Sequence, residues 1–146
     1  MNFNPPTPIF IVIATKDKPE DLSRCLKSLI GQIEVGDEII VVDSSITSAT
    51  EVVVNSFIGT IANLKYLNDT SRRLPALLNH VYLAIAVNPI IAILDDDMVA
   101  CSTWLNDIRV GFTELPEASA VGGQTINKTN QRIGAEIERG NPFVEP

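Results

Sequence analysis

Three short apolar runs, each ending in polar residues, constrain this chain more than any other feature. Residues 8–14 read P-I-F-I-V-I-A and stop at Thr15, Lys16 and Asp17. Residues 38–42 read E-I-I-V-V and stop at Asp43, Ser44 and Ser45. Residues 89–94 read P-I-I-A-I-L and stop at three consecutive carboxylates, Asp95, Asp96 and Asp97. Runs of this length, rich in β-branched residues and bounded by turn formers, read as buried strands. Continuous rather than alternating hydrophobicity suits strands covered on both faces, as in a parallel sheet.

Between these runs the spacing turns helical. Leu22, Cys25, Leu26, Leu29 and Ile30 follow the i, i+3, i+4, i+7, i+8 rule. Pro19 suits the first turn, Glu20 and Asp21 suit its positive end, and Gly31 suits the stop. A weaker helix is expected within 48–57 and a short strand at 63–67. Helical spacing returns over 74–87 through Leu74, Leu77, Leu78, Val81 and Ile85, with Pro75 tolerated in the first turn. A helix over 103–114 would place Trp104, Leu105, Ile108, Phe112 and Leu115 on one face, followed by a fifth strand at 120–125. Such alternation predicts an α/β fold with a mainly parallel sheet. The domain spans 1–126, and the polar sequence of 127–146 predicts an extended or loosely ordered tail.

In open parallel sheets, ligands sit outside the carboxyl ends of the strands at a switch in strand order. Three polar strand ends meeting at one edge therefore predict a binding site. The acidic triplet is a patch of hard oxygen ligands that repels itself until a positive group neutralises it. If the strand continues through it, Asp95 and Asp97 point to one side and Asp96 to the other. A divalent metal shared with a phosphate-bearing substrate is the reading; the bland alternative is a solvated acidic loop.

Charge narrows the partners. A formal net charge of −7 argues against nucleic acid or an anionic membrane as the main partner, but not against a polyanionic ligand held through a metal. The two cysteines, Cys25 and Cys101, lie in apolar-patterned segments and read as buried thiols in a reducing compartment. The longest apolar stretch, 81–94, is broken by Asn88 and Pro89 and is too short to span a membrane. The expectation is a cytoplasmic protein with no transmembrane segment, peripheral membrane association being left open. His80, the single histidine, reads as an ordinary helix residue, and Trp104 as a core or pocket-wall residue.

Five pieces in order carry a family resemblance: I-V-I-A-T-K-D with P-E-D-L-S-R-C-L-K-S-L, then E-I-I-V-V-D-S-S, R-L-P-A-L-L-N, A-I-L-D-D-D-M and the downstream W-L. Together they resemble the nucleotide-binding half of glycosyltransferase family 2, with its Rossmann-like GT-A three-layer sandwich. The resemblance implies a nucleotide-diphospho-sugar donor, most readily a UDP-sugar, and inverting transfer of the sugar to the hydroxyl of an unassigned acceptor. It implies that Thr15 and Asp17 line the base pocket, that Asp43 holds the base and that Arg73 lies near the base and the acidic motif. Asp95, Asp96 and Asp97 would form the D-x-D region. Asp95 would face ribose and metal, Asp96 would belong to the donor pocket, and Asp97 would sit on the metal, Mn²⁺ or Mg²⁺. Such a metal neutralises the departing diphosphate as a Lewis acid.

The sequence departs from the family pattern at Ser44 and Ser45, where Asp-Gly often follows the first acidic residue, at Leu78 for an Arg, and at Val81 for a Gly. The resemblance also leads to the expectation of a chain truncated before the acceptor-binding half. Glu136, Glu138 and Glu145 are the carboxylates in the stretch after Gly123, none in a recognisable context, so the catalytic base is unknown and enzyme status is left open. Two alternatives stand beside the transferase: a non-catalytic nucleotide-sugar-binding or assembly module, and a haloacid-dehalogenase-like phosphatase with Asp95, Asp97 and Val99 in its D-x-D-x-V motif.

Overall fold

A computed structural model of the chain describes residues 7–85, 90–126 and 132–133. Its elements run β1 (Ile9–Thr15), α1 (Pro19–Leu29), β2 (Glu38–Asp43), α2 (Ala49–Phe57), β3 (Leu64–Asn68), α3 (Leu74–Ala84), β4 (Ile90–Asp95), α4 (Trp104–Glu114), β5 (Thr125–Ile126) and β6 (Arg132–Ile133). The chain divides into two compact units, Met1–Leu105 and Asn106–Pro146.

The first unit is an α/β fold whose sheet has the order β3-β2-β1-β4. All its pairings are parallel. Strand order advances from β1 to β2 to β3 and then jumps back across β1 to β4. Right-handed crossovers therefore carry α1 and α2 over one face and α3 over the other. On the α3 face, Val12, Val42, Leu77 and Val81 form a buried cluster, joined by Ile40, Leu67, Leu74 and Leu78. Strand alternation turns Ile11, Ile13, Ile39 and Val41 to the opposite face, and all four are fully buried. There α1 contributes Leu22, Cys25, Leu26 and Leu29, each fully buried. Complete burial of a leucine side chain favours folding by about 2 kcal/mol.

Three expectations need correction. Ile30 is 45% exposed because α1 ends at Leu29, and Gly31 takes φ +82°, the left-handed turn that glycine allows. Among the described residues, β4 is covered on one face only. Ala92 and Leu94 are buried, but Ile93 is 64% exposed. Ile93 lies beside Val12 in the register, on the α3 face, and among the described residues the cluster that α3 packs on draws its strand residues from β1, β2 and β3 and not from β4. Cys101 is exposed rather than buried, on the turn before α4.

In the second unit, β5 covers only Thr125–Ile126 and pairs antiparallel with Arg132–Ile133. The longer strand expected over 120–125 is cut short where Gly122 and Gly123 weaken extended structure. Apart from Arg132 and Ile133, the tail expected over 127–146 lies outside the described residues, with Glu136, Glu138 and Glu145. No helix among the described residues is long and apolar enough to cross a membrane.

Candidate functional site

Register brings the polar strand ends to one level. Thr15 pairs with Asp43, Asp43 with Asn68, and Ala14 with Asp95. The ladder continues one step past the strands, Ser44 N donating to Thr15 O at 3.2 Å and Asp69 N to Asp43 O at 3.1 Å. The reversal of strand order lies between β1 and β4, so the acidic turn and the loop after β1 flank the crevice where ligands enter such sheets.

The acidic triplet does not extend the strand. β4 ends at Asp95, and Met98 N donates to Asp95 O at 3.1 Å, closing a turn. The alternation expected of the three carboxylates is lost there, and Asp96 is the most committed of them. It is buried, accepts from Thr15 Oγ1 at 2.8 Å on Oδ2, and faces Lys18 Nζ at 3.3 Å on Oδ1. The same ammonium lies 3.2 Å from Asp97 Oδ2. Asp97 is 49% exposed along its side chain and Lys18 46%. The hydrogen bonds to Asp97 and then to Asp96 hold the Lys18 ammonium above the usual lysine range. Asp95 is exposed, and by register it shares the α3 face with Val12 and Ile93.

Helix α1 fixes the turn from below. Cys25 Sγ lies 3.6 Å from Asp95 O, and burial, followed by the nearby Asp96, pushes its thiol up to about 12. Ser28 Oγ accepts from Ala100 N at 3.0 Å. Gln32 Nε2 donates to Cys101 O at 2.9 Å, and its Oε1 accepts from Leu105 N at 3.3 Å. These polar anchors, on α1 and on the turn after it, carry no periodic signal, and sequence reasoning missed them.

Asp43 is fully buried. Its Oδ1 accepts from Ser45 N at 2.7 Å and from the Ser45 hydroxyl; its Oδ2 accepts from Tyr66 OH at 2.7 Å and Asn68 Nδ2 at 3.4 Å. Burial, then the bond to Asp43, raises the Tyr66 phenol above its usual range. Ser45 Oγ also accepts from Asp17 N at 2.7 Å, which ties the loop after β1 to the end of β2. Asp17 holds φ +55°, a left-handed conformation that Asp tolerates better than most residues. Ser45, noted in the sequence as a departure, is thus the link between two expected site residues. Arg73 is exposed at the start of α3, on the same sheet edge.

Thr15, Asp17, Asp43 and the acidic turn are therefore assembled in one unit, with Lys18, Ser45, Tyr66 and Asn68 added by the structure. The exposed carboxylates Asp95 and Asp97 are hard oxygen donors of the kind Mg²⁺ or Mn²⁺ takes, usually one or two per ion beside phosphate oxygens and water. Among the described residues, no three His, Cys, Asp or Glu side chains gather into a closed metal cage.

Comparison with known proteins gives a consistent picture. The family model described as glycosyl transferase family 2 matches residues 10–139. No curated protein matches the chain. Among solved structures, S. aureus TarS 1-349 aligns with a TM-score of 0.61 at 20% identity, over 73% of this chain and 32% of that one. The mannosyltransferase PcManGT from Pyrobaculum calidifontis, in complex with GDP-Man and Mn²⁺, aligns with a TM-score of 0.59 at 22% identity, over 73% and 32%. A second S. aureus TarS structure aligns with a TM-score of 0.64 at 19% identity, over 83% and 23%. The fold is that of GT-A glycosyltransferases, and the aligned region amounts to about a third or less of the solved chains it matches.

Proposed function

The chain belongs to glycosyl transferase family 2, and from that premise we propose that its first unit binds a nucleotide-diphospho-sugar for inverting transfer to an acceptor hydroxyl. One observation carries the reading: Thr15 from β1 and the acidic turn after β4 meet across the strand-order switch, leaving Asp97 half exposed at its rim. That is where a parallel sheet receives a nucleotide.

Asp95 and Asp97 would hold the divalent ion, Mn²⁺ or Mg²⁺, with the donor diphosphate completing its shell. When bound, the ion supplies Lewis-acid stabilisation of the departing nucleoside diphosphate. The chain's own residues supply position. Thr15 fixes Asp96, so the turn presents Asp97 outward without moving its neighbour. Asp43 has no exposed surface, so its role is to order the base pocket; Ser45, Tyr66 and Asn68 hold its oxygens, and Asp17 follows through Ser45. Arg73, at the start of α3, supplies positive charge on the same edge for an anionic donor.

A complex with GDP-Man and Mn²⁺ in one structural neighbour supports a guanine nucleotide as well as the UDP-sugar that the sequence suggests. Thermal unfolding with UDP, GDP and their sugars, with and without Mn²⁺, tests the reading. A donor at a hundred times its Kd stabilises by about 2.7 kcal/mol and raises the midpoint visibly. No shift with any of them removes donor binding from this chain. Binding without sugar transfer or donor hydrolysis assigns it as a binding module.

A further inference from the structure

We infer that Lys18 is a displaceable counter-ion, holding the place beside Asp97 that a divalent cation takes and moving to the diphosphate when the donor arrives. The inference rests on the donor-binding reading and adds a residue to it. Lys18 Nζ lies 3.3 Å from Asp96 Oδ1 and 3.2 Å from Asp97 Oδ2, bridging the switch crevice from the β1 side. The two carboxylates it joins differ in freedom. Asp96 is buried and pinned on its other oxygen by Thr15, so it cannot follow a moving partner. Asp97 and Lys18 are both about half exposed, and the lysine stem is long and flexible.

A divalent ion on the Asp97 carboxylate would lie within a few ångströms of the ammonium. Like charges at that range repel strongly even near a protein surface. The ammonium therefore leaves Asp97 when the metal binds, and in the absence of nucleotide Asp96 Oδ1 and water are the partners left to it. A bound diphosphate changes this balance, because the phosphate oxygens that the divalent ion does not take offer Lys18 a new partner. Metal and nucleotide then favour each other's binding, and the coupling is reciprocal. Lys18 is a positioning residue in this scheme, switching between the acidic turn and the donor.

The test compares wild type, Lys18→Met, Lys18→Gln and Lys18→Arg. Free Mn²⁺ is counted by electron paramagnetic resonance without nucleotide, and UDP and GDP binding is measured calorimetrically at saturating Mn²⁺. Removing the competing ammonium should tighten binding of Mn²⁺ alone about 1.5- to fivefold, the range of exposed ion pairs. The same two neutral variants should bind the nucleoside diphosphate about tenfold more weakly, and Lys18→Arg should restore both values. Unchanged or looser Mn²⁺ binding in the neutral variants, beside a wild type that binds normally, overturns the counter-ion role and leaves donor binding standing. A wild type that responds to neither Mn²⁺ nor either nucleotide overturns both. Lys18 is exposed, so all three variants should melt with the wild type in buffer alone, and a separate melting comparison verifies that they are folded.

Discussion

Thr15 Oγ1 donates to Asp96 Oδ2 at 2.8 Å, a buried bond between the end of β1 and the acidic turn after β4. It decides which of the three carboxylates faces inward. Thr15→Val keeps the shape and removes the donor, leaving a buried carboxylate short of one partner. The expected cost is about 1.5–3 kcal/mol in urea unfolding, whereas Thr15→Ser should lie near wild type. A Thr15→Val protein as stable as wild type would mean that the bond contributes nothing.

Asp96 and Asp97 should separate stability from binding. Asp97→Asn breaks only an exposed ion pair, so buffer-only stability should change by less than about 0.5 kcal/mol while the Mn²⁺-dependent part of any nucleotide shift disappears. Asp96→Ala should instead lower stability with or without ligand. Retained Mn²⁺ dependence in Asp97→Asn would exclude Asp97 as a ligand.

Tyr66→Phe removes the 2.7 Å bond to Asp43 Oδ2 and leaves that oxygen with Asn68 at 3.4 Å. A loss of about 1–2 kcal/mol is expected at unchanged denaturant dependence. Weaker nucleotide binding should accompany it if Asp43 orders the base pocket. Full stability and affinity in Tyr66→Phe would disconnect Tyr66 from the site.

Cys25 sets an alkaline limit. Its thiol rises from the ordinary 9.0 to about 12 in the folded chain, so the folded state keeps a proton that the unfolded state loses. Stability from this source is complete below about pH 9 and is lost as pH climbs towards 12. Tyr66, raised by burial and Asp43, acts in the same direction from about pH 10 upward. Cys25→Ala should be roughly 1 kcal/mol less stable at pH 7, yet lose less than wild type between pH 8 and 10.5. Parallel pH curves for the two proteins would refute the assignment.

The sheet and the position of its site are legible in the sequence for a simple reason. Strand runs and the α1 stripe are local periodicities, and a polar strand end marks a sheet edge whatever the surroundings. The same logic misplaces Ile93, whose exposure depends on what packs over β4, and Ile30, whose fate depends on where α1 stops. Asp96 is misread because alternation holds only while the strand lasts, and the strand ends one residue earlier. Lys18, Tyr66 and Asn68 escape notice, and the link from Ser45 to Asp17 with them, because the partners lie on other elements, 78 residues away in the case of Lys18 and Asp96. No spacing rule encodes such pairs.

The strand order has a consequence for folding in time. β1 must pair with β2, which follows closely, and with β4, which arrives only after β3 and α3 have been made. The contact that completes the acidic turn spans 81 residues, so the entropy of closing that long loop is met before the turn has anything to hold it. A chain that has formed only its first three strands has a hydrophobic sheet whose β1 edge is bare and no acidic turn in place. Competence to bind is thus a late property of the folding chain, and a ligand of the finished crevice would report that β4 has docked.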